Sequence, residues 1–174
     1  RARGGQSILD NAVITDDSHI LEEFSLIYGT TSRHRALHLP VYSSKQLSET
    51  IQLSEKEQSI AILFGNEKSG LSNQLLNFSQ AVIEIPAAAG HSLNLSHAVQ
   101  IIAYELSQMT IQSKPLSVST VKEREDFMRW LQVYHQDTTF LLPHTIERIR
   151  SIINKAKLTS TEIKLLYSLI SKSK

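Results

Sequence analysis

Two short apolar runs, residues 60–64 and 81–85, stand out from a mixed sequence, and each ends in a loop that restarts as a helical pattern. Runs of this length bounded by polar, Gly- and Pro-containing stretches predict buried parallel strands. A third run over 24–28, stopping at Gly29, predicts another. Helical spacing follows the loops, first in Leu71, Leu75, Leu76 and Phe78, then in Leu95, Val99, Ile102 and Leu106 over 95–107. Ile101 widens the second apolar arc so far that this helix is expected to lie centrally, at a subunit contact. Upstream, 7–11 reads as a short helix, 12–14 as extended, Asp16-Asp17-Ser18 as a turn or cap, and 19–24 as a second short helix. Ser43 or Ser44 is placed to cap a helix running to about Thr50. Strand, loop and helix in alternation predict an α/β fold whose strands deliver their loops to one end of a parallel sheet. Three strands alone would leave sheet edges uncovered.

Beyond residue 110 the pattern contains helices only. Residues 110–119, rich in Ser, Thr and Pro, read as a linker. Ser119 or Thr120 opens a helix with Phe127, Trp130, Leu131 and Tyr134 on one stripe. Pro143 suits a first helical turn, with Ile146, Ile149, Ile152 and Ile153 inward. Thr159 and Glu162 form a capping-box pair ahead of Ile163, Leu166, Tyr167 and Ile170. These stripes read as core rather than as a binding platform. The organisation expected is an α/β domain over 1–109, a linker over 110–118 and a small all-helical extension over 119–174.

Composition narrows the class. The 174 residues suffice for one core, and 41% hydrophobic with 20% charged residues is ordinary for a globular chain. No apolar stretch is long enough to span a membrane. The absence of cysteine excludes disulfides, a thiolate nucleophile and Cys-ligated metal, and a cytoplasmic protein is the simplest expectation. The net charge of +1 hides an asymmetry: residues 1–110 hold 7 Lys/Arg against 11 Asp/Glu, whereas 111–174 hold 11 against 6. A basic tail on an acidic body admits a polyanionic partner.

Candidate chemistry sits in the loops. Gly65-Asn66-Glu67-Lys68-Ser69-Gly70 lacks the G-x-x-x-x-G-K-[ST] spacing of a phosphate loop, because Leu71 follows Gly70. An ATPase is therefore excluded. The loop after the first strand is hydroxyl-rich and basic, with Arg33, His34, Arg35 and His38. Gly65 would keep a Cβ from intruding on a ligand at a strand end. Ser92 and Asn94 are each placed to cap the 95–107 helix. No spacing suggests a metal site.

Three segments together resemble the SpoU-type branch of the trefoil-knotted SPOUT methyltransferases, and within it the TrmJ-type tRNA methyltransferases. Gly29-Thr30-Thr31-Ser32-Arg33-His34-Arg35 is similar to the family's G-T-[ST]-x-R-x-R loop. The stretch from Phe64 through Gly65, Glu67 and Gly70 to Leu71 fits F-G-x-E-x-x-G-L, and Ile85-Pro86 with Ser92-Leu93-Asn94-Leu95-Ser96-His97-Ala98-Val99 fits the third motif. The helical tail resembles that subfamily's extension more loosely.

The resemblance implies transfer of a methyl group from S-adenosylmethionine to a ribose 2′-hydroxyl of RNA, most specifically tRNA at position 32 of the anticodon loop. It implies a homodimer with active sites near the subunit interface, and no DNA partner. It assigns Thr30, Thr31, Ser32, Gly65, Ile85, Ser92, Leu93 and Asn94 to the cofactor pocket, and Pro86 and Gly90 to a loop threaded through the knot. Glu67, Ser92 and Asn94 become the candidate catalytic residues, and Arg33 and Arg35 the RNA contacts, since guanidinium groups grip phosphate without reading a base. His91, with His34, His38 and His97 behind it, is a candidate proton acceptor. The family's fold also begins with a strand, a loop bearing an Asn and an Arg, a helix and a second strand. Nothing matching these precedes Arg1, so the expectation is a knotted domain lacking its first strands. The competing reading is an RNA-binding or structural protein that keeps the pocket without that arginine.

Overall fold

The computed structural model describes residues 5–32, 39–47, 51, 59–87, 92–109, 117–136 and 142–172. Its strands are β1 (Leu26–Thr30), β2 (Val41–Ser43), β3 (Ile60–Leu63) and β4 (Ala81–Glu84). Its helices are α1 (Gln6–Asp10), α2 (Asn73–Leu76), α3 (Leu95–Ser107), α4 (Val121–Tyr134), α5 (Pro143–Ala156) and α6 (Ser160–Ser171). Single 3-10 segments cover Ser18–Glu23 and Ser44–Gln46.

All strand pairs are parallel, in the order β2-β4-β1-β3. The sheet therefore has four strands among the described residues, not the three that the apolar runs predicted. Strand β2 is only three residues long, too short to leave an alternating pattern. It is drawn to the sheet edge by β4, whose Val82 N–H donates to the Pro40 carbonyl oxygen at 2.9 Å. Strand β1 also runs on through Gly29, which pairs with Leu63 on one side and Val82 on the other. A Cβ there would lie 2.4 Å from Leu76 Cδ2, so the small residue lets α2 pack on the strand.

Alternation along the strands sends side chains to opposite faces. Leu26, Tyr28, Ala81 and Ile83 join Leu47, Ile51 and Ile102 of α3 on one face. Ile27 meets Leu21 and Val121 on the other, next to Leu71, Leu76 and Val82. The Gln80 side chain locks the register, its Oε1 accepting from the Ile27 N–H at 2.5 Å.

Helix α3 occupies the predicted span, but its surroundings differ from expectation. Ile102 is buried, whereas Leu95 is 38% and Val99 42% exposed. The C-terminal half of its apolar face covers the sheet, and the N-terminal half remains bare beside the loops at the strand ends.

Helices α4, α5 and α6 share a second core of Phe127, Met128, Leu131, Ile153 and Ile163, flanked by Trp130, Ile146, Ile149 and Tyr167. The Phe127 and Tyr167 rings meet edge to face at 4.9 Å, so this aromatic stripe is packing. Ile152, expected inward, is exposed. Both α4 and α6 start in capping boxes, Thr120 with Glu123 and Thr159 with Glu162. The two cores touch: Val118 joins the sheet's first cluster and Val121 its second, and the Val121 N–H donates to the Phe24 carbonyl oxygen at 2.8 Å. No helix among the described residues is long and apolar enough to cross a membrane.

Candidate functional site

The C-terminal ends of β1, β3 and β4 point the same way, and the loops that leave them meet the N-terminus of α3 around one pocket of about 130 Å³. Thr30, Thr31 and Ser32 line it from the first loop. Phe64, Gly65, Asn66, Glu67 and Gly70 line it from the second, and Ile83, Ile85 and Ala87 from the third. Ser92, Leu93, Leu95 and Ala98 close it at the start of α3. Stretches more than 60 residues apart in sequence thus share one cavity.

The first loop is fixed by the sheet. Thr30 Oγ1 donates to the Leu63 carbonyl oxygen at 2.9 Å, and the Thr31 N–H donates to the Ile83 carbonyl oxygen at 3.0 Å. Thr30 therefore ties the last residues of β1 and β3 together at the pocket rim.

The second loop folds back on itself. Asn66 and Gly70 form an antiparallel bridge, with the Gly70 N–H donating to the Asn66 carbonyl oxygen at 2.9 Å. Asn66 Oδ1 accepts from the Lys68 N–H at 3.1 Å, the Ser69 N–H at 2.7 Å and Ser69 Oγ at 2.9 Å. Gly70 closes the turn at φ 69°, a left-handed conformation suited to glycine. The physical reason for Gly65 also changes. A Cβ there would sit 2.1 Å from the Gly70 carbonyl carbon and 2.2 Å from the Leu71 nitrogen, so the constraint comes first from the loop's own backbone. Asn66 was not among the residues expected at the site; its signal was the Asn-x-x-Ser spacing of a side chain that caps its own turn.

Glu67 lines the pocket from this turn, and its carboxylate has no hydrogen-bond or ion-pair partner among the described residues. Ser92 is exposed on the opposite wall. Asn94 is not itself a lining residue. It is the N-cap of α3, its Oδ1 accepting from the Ser96 N–H at 2.9 Å and from Ser96 Oγ at 2.7 Å. It thereby holds Leu93 and Leu95, the lining residues on either side of it, in place.

Of the eight expected cofactor-pocket residues, the structure gathers Thr30, Thr31, Ser32, Gly65, Ile85, Ser92 and Leu93 around the cavity, with Asn94 capping the helix behind it. Phe64, Asn66, Glu67, Gly70, Ile83, Ala87, Leu95 and Ala98 complete the lining. Arg33, His34, Arg35, His38, Gly90 and His91 lie outside the described residues. His97 is exposed on α3. No group of three or more His, Cys, Asp or Glu side chains among the described residues is arranged to hold a metal ion.

Chemically the pocket is mixed. Ile85, Leu93, Leu95 and Phe64 offer apolar surface for a flat ring, and the rims present hydroxyls and loop backbone. That donor set fits a nucleoside carrying polar ends.

Comparison with known proteins follows the same lines. The SpoU rRNA Methylase family profile matches residues 11–104. The tRNA (cytidine/uridine/adenosine-2′-O-)-methyltransferase TrmJ of Pseudomonas aeruginosa (strain UCBPP-PA14) is 27% identical over 195 residues, covering 99% of this chain and 76% of that protein. The tRNA (cytidine/uridine-2′-O-)-methyltransferase TrmJ of Sodalis glossinidius (strain morsitans) is 30% identical, covering 96% of this chain and 71% of its own. The crystal structure of TrmJ from Z. mobilis ZM4 superposes with a TM-score of 0.82 at 25% identity, covering 98% of this chain and 77% of the other.

Proposed function

The chain belongs to the SpoU rRNA methylase family, and from that premise we propose that it transfers a methyl group from S-adenosylmethionine to a ribose 2′-hydroxyl of tRNA. The observation that carries the reading is the convergence of the three family-like loops on one pocket, in a chain that relatives named as tRNA 2′-O-methyltransferases match over nearly its whole length.

The pocket fits the cofactor. Ile85, Leu93 and Leu95 would sandwich the adenine, while the backbone of the 30–32, 64–67 and 85–87 segments would bond its edge and the polar ends. S-adenosylmethionine supplies, when bound, an electrophilic methyl on a sulfonium. The chain's own work is orientation. Thr30 and Asn66 hold two loop backbones rigid, so binding them costs little ordering. Asn94 orders the third wall through its cap. Glu67 and Ser92 face the cavity with an acceptor and a hydroxyl that can engage the ribose and keep its 2′-oxygen aligned. Arg33 and Arg35 take the phosphates flanking the target nucleotide, which we place at position 32 of the anticodon loop.

The helical region over 119–174 extends the RNA contact. His144, Arg148 and Lys155 fall on one side of α5, opposite Ile146, Ile149 and Ile153, and all three are exposed. Arg148 and Lys155 have no ion pair among the described residues, whereas Arg129 pairs with Asp126 and Arg150 with Glu125. Eleven residues of helix span about 16 Å, enough to follow a few phosphates. The bare Val99 of α3, outside the pocket, is covered by a second copy of the chain, making the enzyme a homodimer that works in the cytoplasm, where its tRNA resides. Incubation with methyl-labelled S-adenosylmethionine and separate pools of tRNA, rRNA and DNA tests the proposal. Label in tRNA supports it, and label in rRNA alone or in no nucleic acid overturns it.

A further inference from the structure

Arg124 is 1% exposed, yet no carboxylate bonds it. Its Nε donates to Asn154 Oδ1 at 3.0 Å, Nη1 to the Ser119 carbonyl oxygen and, at 3.4 Å, to Ser119 Oγ, and Nη2 to the Ser25 carbonyl oxygen at 3.0 Å. The neighbouring Glu125 carboxylate is taken by Arg150, at 2.8 Å and 3.0 Å. Burial pushes the Arg124 pKa down to about 10, against the pull of Glu125 and Glu123, so the group stays charged at neutral pH. Asn154 completes the joint by donating Nδ2 to the Asn77 carbonyl oxygen at 2.8 Å. Two side chains thus tie together the entry to β1, the end of α2, the segment leading into α4, and α5.

For cohesion alone, an apolar side chain of similar volume would serve at least as well, because a buried charge carries a desolvation cost that neutral carbonyls only partly offset. What the guanidinium adds is direction. Its planar fork donates at fixed angles, which grease-like contacts between two cores do not impose. Asn154 belongs to the helix that carries Arg148 and Lys155, so the joint sets where that basic side stands relative to the sheet and its pocket.

We propose that Arg124 is a positioning residue: with Asn154 it fixes the orientation of α5 against the sheet, so that tRNA held on α5 meets the pocket in one alignment. The RNA half of this statement rests on the tRNA reading above; the geometric half does not. The chain has no cysteine, so Gln74→Cys and Glu147→Cys, both exposed, give a clean pair of sites for spin labels, one on the sheet body and one on α5. The full-length protein is expected to show one narrow distance distribution. Arg124→Lys keeps the charge and loses the fork; Asn154→Ala is the milder cut, removing the Asn77 link and one Arg124 bond. In either variant, folded and binding S-adenosylmethionine within twofold of the parent, the distribution should widen at least twofold. The KM for tRNA should rise five- to tenfold, with kcat within twofold. An unchanged distribution and KM in a folded variant overturns the proposal. So does a parallel loss of cofactor binding, kcat and KM, or failure of both variants to fold, because either makes the joint merely structural. The label distance reads the joint even if the parent protein methylates no tRNA, which separates failure here from failure of the functional reading.

Discussion

The space a Cβ would need on Gly65 is already filled by the backbone of Gly70, whose carbonyl carbon lies 2.1 Å from that position. Backbone cannot swing aside as the end of a side chain can, so Gly65→Ala must open the 65–70 turn. Overpacking of this kind costs about 1–3 kcal/mol. A thermal melt should show that loss, and calorimetric titration should show S-adenosylmethionine binding weakened roughly tenfold or more, equivalent to about 1.4 kcal/mol. Unchanged affinity would mean that the turn does not shape the pocket.

Asn94 acts on the site through its cap. Asn94→Ala should cost about 1 kcal/mol of stability. Cofactor affinity should drop with it, since Leu93 and Leu95 lose their anchor. Asn94→Ser keeps a capping oxygen and should restore both. If Asn94→Ser melts normally but fails to bind, the amide itself contacts the ligand.

The α5 stripe makes a salt-dependent prediction. Each phosphate contact contributes roughly 0.9 to the slope of log K against log salt on duplex nucleic acid and about 0.7 on single strands. Arg148→Ala with Lys155→Ala should reduce that slope for tRNA by about 1.5 and leave the melting temperature and cofactor affinity as they were. An unaltered slope would remove α5 from the RNA footprint.

Acid titration should expose the second capping box. Glu162 accepts from the Thr159 N–H at 2.8 Å and from Thr159 Oγ1 at 2.9 Å, and the backbone bond foremost holds its pKa below the usual 4.5. A depressed carboxylate stabilises the fold above its ordinary pKa, and that contribution is lost as pH falls through the lowered value. The stability gap between the parent and Glu162→Gln should therefore be constant near neutrality and close in acid. His19 has the opposite sign. Its hydrogen bond to Glu22 raises its pKa from 6.5, so the gap to His19→Asn should be full below pH 6.5 and close as pH rises through the raised value. Chemical denaturation across pH measures both.

Much of the fold was legible because its signals are local. The apolar runs mark β3 and β4, the 3.6-residue spacing gives α3 its two ends, and Thr159 with Glu162 announces α6. The pocket's lining was legible for another reason: the loop motifs are short, polar and Gly-rich, and Thr30, Gly65, Ile85 and Leu93 from three of them meet around one cavity. What escaped detection depends on distant partners. Val41–Ser43 becomes a strand only because β4 runs beside it. Arg124, in the charged stretch Lys122-Glu123-Arg124-Glu125-Asp126, looks like any solvent-facing residue until Ser25 and Asn154 are brought to it. The exposure of Leu95 and Val99 was equally hidden, since periodicity states which side is apolar and not how far along the helix the sheet extends.

The most direct test is to locate the transferred methyl group. A ribose 2′-O-methyl blocks attack of that oxygen on the adjacent phosphate, so the linkage survives alkali that cleaves the rest of the chain. After reaction with labelled S-adenosylmethionine, alkaline digestion of the tRNA should leave the label in an alkali-resistant dinucleotide. Label recovered in mononucleotides on a base, or no incorporation by a folded protein that binds the cofactor, would contradict the account.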